Sequence, residues 1–523
     1  MFKHLKNDIP ASIVVFFVAL PLCLGIALAS GAPLFAGLIA GIIGGVVVGS
    51  ISGSSVGVSG PAAGLTVVVL GAIATMGSFE NFLMAVVIGG VIQVVLGILK
   101  AGVIGYYFPS SVIKGMLAGI GIIIFWKQVP YALGFSADAF VIPEGETLLS
   151  GILLLLSKVS SGAVIVAVLS LVILLLWEKV LSKKHSIFTI VPGPLVAVVI
   201  GILYQTIVSA GSGFGISGQQ LVNVPIPENV ADFFGQFTFP NFAVIGMPEV
   251  WITGITIAVV ASLETLLCVE ATDKLDPRKR VTPTNQELVA QGAGNIFSGL
   301  IGGLPITQVI VRSSTNIHSG GRTKLAPILH GVFLLVSVIL IPTLLNKIPL
   351  AVLAAILFIV GYKLAKPEIF VQMFKLGKSQ FLPFLVTTLG IVFADLLIGI
   401  SLGLIVGIVV ILINSYKNSH FLHIEDESEE RNLVKMTLAE EVTFLNKGAI
   451  LKELDNLPKD SCLELDLRRT KVLDYDILEI LDEYAVKAEN RNISIKIISN
   501  LGVIENPKNY RDLFGSKIST LQN

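Results

Sequence analysis

The sequence predicts a polytopic α-helical membrane protein that carries a small α/β domain at its C-terminal end. Three observations lead there. Of the 523 residues 54% are hydrophobic and only 14% charged, with a mean hydropathy of +0.85, whereas a soluble enzyme is charged at about a quarter of its positions. Apolar runs recur from Pro10 to Ile413, most of them near the roughly 20 residues needed to cross a hydrocarbon core of about 30 Å. From His423 onward the text changes to short β-rich runs alternating with helical periodicity.

In order, the spacing predicts spans over Pro10–Ser30 and Pro33–Ser50, a third opened by the Gly-Pro break at Ser59–Pro61, a fourth over Phe82–Leu99, then Ser111–Leu133, Gly162–Trp177 and Ile187–Ile207. Val208–Pro248 is a polar loop without Lys or Arg. The second half repeats the count. Val250–Ala271 and Glu287–Leu300 are followed by a tenth segment opened at Pro305, then Leu325–Leu345, Pro349–Val360, Phe381–Ile398 and Ser401–Ile413. The total is about fourteen segments. Basic clusters at Lys3 and Lys6, Lys179–Lys184, Lys274–Arg280, Arg322 and Lys324, and Lys363–Lys378 alternate with loops nearly free of cations. All of them then fall on one side, which the positive-inside rule makes cytoplasmic, so both termini are expected inside a multi-pass protein of the inner (plasma) membrane. The expected domains are 1–420 in the bilayer, an acidic linker over 421–431 containing EDESEE, and an α/β domain over 432–523 with strands Leu433–Thr437, Cys462–Leu467 and Ile493–Ile498.

The chain is organised around two interruptions, Ser59-Gly60-Pro61-Ala62-Ala63-Gly64 and Gly302-Gly303-Leu304-Pro305-Ile306-Thr307-Gln308. Broken helices at membrane depth are tolerated beside protein or a watery cavity. Two such breaks at matching places in two halves point to a transporter site at the bilayer midplane. A new helix is expected to start at Ile306 or Thr307, with its N–H groups and positive dipole end free for an anion. The alternative is ordinary Gly and Pro use in membrane helices.

Two charged side chains stand out. Glu264 lies well inside its span, where a charge costs about 2.5–3.5 kcal/mol on insertion scales, so it must face protein or water; it is either a proton or sodium partner or a hydrogen-bonded structural acid. Arg312, seven residues past Pro305, would sit about 10 Å along the new helix with Gln308 on its face at i−4. It either supports an anion or pairs with Glu264 or Asp395. Gln93 reads as glue between helices. The three cysteines, Cys23, Cys268 and Cys462, show neither metal spacing nor a disulfide framework. HExxH and GxxxxGK[ST] are absent and no GxSxG elbow joins a strand to a helix, so no enzyme chemistry is expected.

The runs DIPASIVVFFVALPLCLGIALASGAPLFAGLIAGIIGG, VSGPAAGL, YFPSSVIKGMLAGIGIIIFWKQVP, NQELVAQGAGNIFSGLIGGLPITQVIVRSS and HSGGRTKL resemble the SulP family of inorganic anion transporters, and the tail resembles its STAS domain more weakly. The resemblance implies fourteen segments in two inverted repeats of seven, core and gate domains moving as an elevator, and a homodimer. It implies an anion held by Ala62, Ala63 and Gly64 with Ile306, Thr307 and Gln308, supported by Arg312. Glu264 would couple transport to sodium or protons, with Cys268 where sodium-coupled bicarbonate carriers have a hydroxyl. Ala62 replaces a common Thr, Gln308 replaces a common Gly and would narrow the cavity, and Tyr475 and Asp476 replace the phosphorylatable Ser of some STAS loops. The cargo expected is sulfate or bicarbonate, with no cofactor beyond the coupling ion, no nucleic acid, and a cytoplasmic partner for the STAS-like domain. The rivals are an organic anion such as a dicarboxylate, and an anion channel or membrane scaffold.

Overall fold

The computed structural model describes residues 4–103, 109–135, 159–184, 191–208, 213–227, 230–394, 396–417, 420–425, 433–500 and 502–507. Asp395 and most of the acidic linker lie outside them. The chain divides into two compact units, 1–404 and 405–523.

Apolar composition makes the first unit helical, because a chain in lipid must satisfy its backbone internally. Its main helices are α1 (Leu5–Ala29), α2 (Leu34–Ile43, continued by a π turn over Gly44–Val48), α3 (Thr66–Met76), α4 (Phe79–Ile98), α5 (Ser110–Leu133), α6 (Ser161–Leu176), α7 (Gly193–Ile207), α8 (Pro248–Leu275), α9 (Thr284–Leu300), α10 (Ile310–His318), α11 (Leu325–Leu340), α12 (Leu350–Leu364), α13 (Lys378–Phe393) and α14 (Leu396–Lys417), the last running into the second unit. Among the described residues eight helices are long and apolar enough to cross a bilayer. Four shorter apolar helices (α3, α7, α11 and α13) accompany them. Local chemistry sets the starts. The Ser78 side chain accepts from Asn81 N at 3.3 Å to begin α4, and Pro248 occupies the first turn of α8, where its missing N–H costs nothing. Small residues then bring helices together, as where Gly90 of α4 lies against Gly292 of α9.

At the two interruptions the chain forms strands, β1 (Ser59–Pro61) and β2 (Ile306–Gln308), paired antiparallel with Ser59 opposite Gln308, Gly60 opposite Thr307 and Pro61 opposite Ile306. The expected helix start at Ile306 or Thr307 is therefore corrected. Pro305 and the demand for a backbone partner inside the bilayer favour the ladder first, and helix resumes at Ile310. An anchor the sequence reading missed lies near the N-terminus. The buried Asp8 carboxylate accepts from Arg322 N at 2.7 Å, Thr323 N at 3.1 Å and Thr323 Oγ1 at 2.6 Å, tying α1 to the loop after α10.

In the second unit, β3 (His420–Glu425), β4 (Leu433–Leu438), β5 (Cys462–Asp466), β6 (Ser494–Ser499) and β7 (Gly502–Glu505) form one mixed sheet in that order. The inner pairs β4–β5 and β5–β6 are parallel and the outer pairs antiparallel. Alternation buries Val434, Met436, Leu463, Leu465, Ile495 and Ile497 on one face. The helices Lys447–Asp455 and Tyr475–Asn490 contribute Ile450, Leu454, Ile477, Leu481 and Tyr484 to the same core. Helices on a mixed sheet are what the periodicity of the tail predicts.

Candidate functional site

Pairing of β1 with β2 brings the two interrupted spans tip to tip. Their polar groups find partners locally: Val309 N donates to Val58 O at 3.0 Å, Val58 N to Ser313 Oγ at 2.9 Å, and Asn316 Nδ2 to Val56 O at 2.9 Å. Past the strands each chain resumes as a helix. The residues ahead of those helices, Ala62 and Val309, offer no side-chain cap. Uncapped first-turn N–H groups with a positive dipole end are the arrangement that attracts an anion.

The residues expected at the site divide into two groups. Ala62 is buried and Ala63 half-buried at the first tip, with Gly64 beside them. At the second tip Ile306, Thr307 and Gln308 are fully buried. Ile306 N already donates to Asn295 Oδ1 at 2.5 Å, and Gln308 N to Thr265 Oγ1 at 3.3 Å. The N–H groups that open α10 belong instead to Ile310 and the residues after it. Gln308 does not share a helical face with Arg312, since it lies in the strand. Its Nε2 turns onto α8 and donates to Thr272 Oγ1 at 3.1 Å.

Glu264 projects from α8 against the backbone of Gly64, whose N–H faces the carboxylate. A Cβ at Gly64 would collide with the carboxylate, so the close approach requires glycine. Oε2 of Glu264 is buried without a hydrogen-bond partner among the described residues. One turn on, Cys268 faces the N–H of Ile310 at the second tip. One face of α8 therefore addresses both tips.

Arg312, in the first turn of α10, is 1% exposed, and none of its guanidinium nitrogens has a hydrogen-bond partner of good geometry among the described residues. It faces Cys23 of α1, with His330 of α11 also within its field. Its Nη1 lies against Gly60 so closely that a Cβ there would clash. Arg312 forms no ion pair with Glu264; the guanidinium is turned towards α1 and α11 while the carboxylate lies at the first tip.

Sequence reasoning missed the polar stripe of α9. Glu287, Gln291, Asn295 and Ser298 are all fully buried and spaced four, four and three residues apart. That helical period was visible in the sequence. Gln93, read as glue, does bond between helices, donating to Ser262 Oγ at 3.2 Å and accepting from Asn295 Nδ2 at 2.6 Å.

A model described as the sulfate permease family matches residues 5–387. The chain belongs to the sulfate permease family. Within that family it is 29% identical over 422 residues to a putative sulfate transporter, YvdB, of Bacillus subtilis, covering 78% of this chain and 73% of that one. It is 26% identical over 457 residues to the bicarbonate transporter BicA of Picosynechococcus, covering 86% and 77%. The solved transmembrane domain of a cyanobacterium bicarbonate transporter BicA superposes with a TM-score of 0.62 at 26% identity, over 78% of this chain and 98% of that one. The murine Slc26a9 anion transporter in its inward-facing state superposes with a TM-score of 0.74 over 95% of this chain and 86% of that one, and at 15% identity it shows the fold alone. As a sulfate permease family member the chain is a multi-pass membrane transporter of anions, not an enzyme, and its C-terminal sheet is STAS-like.

Proposed function

We propose that this protein is a secondary active transporter of a small inorganic anion, sulfate or bicarbonate, held between the tips of α3 and α10 and coupled to sodium or protons through Glu264. The observation that carries the proposal is the β1–β2 pairing, which sets two helix starts side by side against α8, with Glu264 at one and Cys268 at the other. Dipole terms of about 0.3–2 kcal/mol per helix end do not replace the hydration of an anion. The guanidinium of Arg312, without an ion-pair partner among the described residues, supplies further positive potential in surroundings where charge is poorly screened. Glu264, facing the same tip as the cargo, is attractive to a cation and repulsive to an anion. Neutralising it by a proton or sodium therefore favours cargo, which is the basis of symport. Relatives named for sulfate and for bicarbonate support the cargo class. Rigid movement of the paired tips against the remaining helices gives alternating access as an elevator. The basic loops orient both termini to the cytoplasm of the inner membrane, and the assembly is a homodimer whose STAS-like unit offers a cytoplasmic partner surface.

The test is uptake of radiolabelled sulfate and bicarbonate by proteoliposomes, with and without sodium or pH gradients. Saturable uptake of either anion that follows one gradient supports the proposal. Uptake of neither, with fumarate carried instead, would replace it with an organic anion carrier, and gradient-independent current would make the protein a channel.

A further inference from the structure

Side chains of α8 and α9 hold the crossing of β1 and β2, and from α8 Thr265 Oγ1 accepts from Gln308 N at 3.3 Å. Past the crossing runs α9, whose buried polar stripe assigns one amide to each strand. Gln291 Nε2 donates to Ser59 Oγ of β1 at 2.7 Å. Asn295 takes both backbone groups of Ile306 in β2: its Oδ1 accepts from Ile306 N at 2.5 Å and its Nδ2 donates to Ile306 O at 3.1 Å. A side-chain amide in that position offers what a third strand would, inside a layer where water is not there to substitute. The same Nδ2 donates to Gln93 Oε1 at 2.6 Å, and Gln93 passes the contact to Ser262, two residues before Glu264. On the other side α2 offers only apolar residues and glycine over Leu34–Ile43, and meets the segment ahead of β2 through a backbone bond from Leu304 N to Ala36 O at 3.2 Å.

We propose that Gln291 and Asn295 are positioning residues for the anion site. They fix the two strands to one helix face and thereby set the separation of the tips of α3 and α10. The inference rests on the transport reading above. A binding constellation tolerates errors of only about 0.5 Å before affinity falls, and the dipole contribution of a helix end decays within its first turn. Loosening one strand then weakens the anion site while leaving the rest of the membrane unit, and so the transport cycle, in place. A tetrahedral divalent anion and a planar monovalent one span the gap differently, so a changed gap changes their ratio.

The experiment uses the full chain. Asn295→Ala, Asn295→Asp and Gln291→Ala are purified and reconstituted, and KM and Vmax are measured for sulfate and for bicarbonate. Hydrogen exchange of the segment 304–309 is followed in detergent. The expected result is a KM raised about tenfold, the size of effect that one or two lost hydrogen bonds produce. Vmax should stay within about twofold and the sulfate-to-bicarbonate preference should shift. Exchange at Ile306 should be faster in Asn295→Ala, which loses the acceptor of Ile306 N, and near wild type in Asn295→Asp, which keeps an acceptor oxygen and loses the donor to Ile306 O. A Vmax lowered equally for both anions with KM and preference unchanged would make these residues merely structural and overturn the proposal. Unchanged exchange at Ile306 in Asn295→Ala would overturn it as well. Wild-type vesicles that take up neither anion would remove the transport reading, while the exchange measurement would still decide whether Asn295 clamps the strand. If Asn295→Ala does not fold, the isosteric Asn295→Asp and the independent Gln291→Ala carry the test.

Discussion

The carboxylate of Glu264 lies against the backbone of Gly64, at the point where the first interrupted span resumes as helix. An acid on α8 thus shares a helix tip with the proposed cargo. Glu264→Gln keeps the shape and removes the charge, so gradient-driven uptake should fall to background while the protein stays monodisperse on gel filtration. Gly64→Ala should do the same for another reason, because its methyl group occupies the carboxylate's place. Gradient-dependent uptake persisting in Glu264→Gln would remove the coupling role.

Arg312 pulls stability and function apart. Its guanidinium is buried and unpaired among the described residues, and replacing buried ionic groups by apolar ones of similar volume often stabilises a protein by about 1–4 kcal/mol. Arg312→Met should therefore melt higher than wild type and yet show no saturable uptake. Arg312→Lys, with a compact charge on a different stem, should not restore it. Thermal melting with and without sulfate checks both, since added anion should raise the melting temperature of wild type alone. A less stable Arg312→Met would mean that the charge is compensated within the fold.

Gln308 behaves differently from what its place beside Pro305 implies. Its amide Nε2 donates to Thr272 of α8, so it acts as a tie between β2 and α8, while Oε1 has no hydrogen-bond partner among the described residues. Gln308→Ala should lower stability by about 1–3 kcal/mol, the range for disrupting a buried hydrogen bond, and leave anion KM within about threefold. A KM change much larger than that would return the side chain to the cargo.

Asp8 accepts three hydrogen bonds from Arg322 and Thr323 in a buried position. Asp8→Ala leaves two backbone donors without their acceptor and should cost about 3 kcal/mol, seen as a melting temperature several degrees lower. Asp8→Asn retains an acceptor oxygen and should lose less. Equal losses in the two variants would argue that the charge, and not the geometry, is what matters there.

Much of this architecture was legible in the sequence because hydrocarbon imposes a length rule: each apolar run near 20 residues had to be a span, and the Gly-Pro and Gly-Gly-Leu-Pro breaks could not continue a helix. Burial of Gln93, and of Oε2 of the half-buried Glu264, followed from the cost of polar groups at that depth. Strand pairing between Pro61 and Ile306 was not legible, because a three-residue ladder has no periodicity and its partner lies in the other half of the chain. The fate of Gln308 is hidden for the same reason: a helix from Ile306 would put its side chain on the face of Arg312, whereas the strand turns it onto α8. The stripe from Glu287 to Ser298 did carry a helical period, but without coordinates nothing said that β1 and β2 would lie beside it.

The short ladder between β1 and β2 also constrains how the molecule is made. Each half contributes one strand, in opposite directions, so a half expressed as a separate polypeptide exposes bare peptide groups in the interior of the bilayer, where no solvent can cover them. A single half could have covered them only by meeting a second copy inserted upside down, head against head across a twofold axis. With both halves in one chain that encounter is intramolecular, and each strand has its partner wherever the other half inserts.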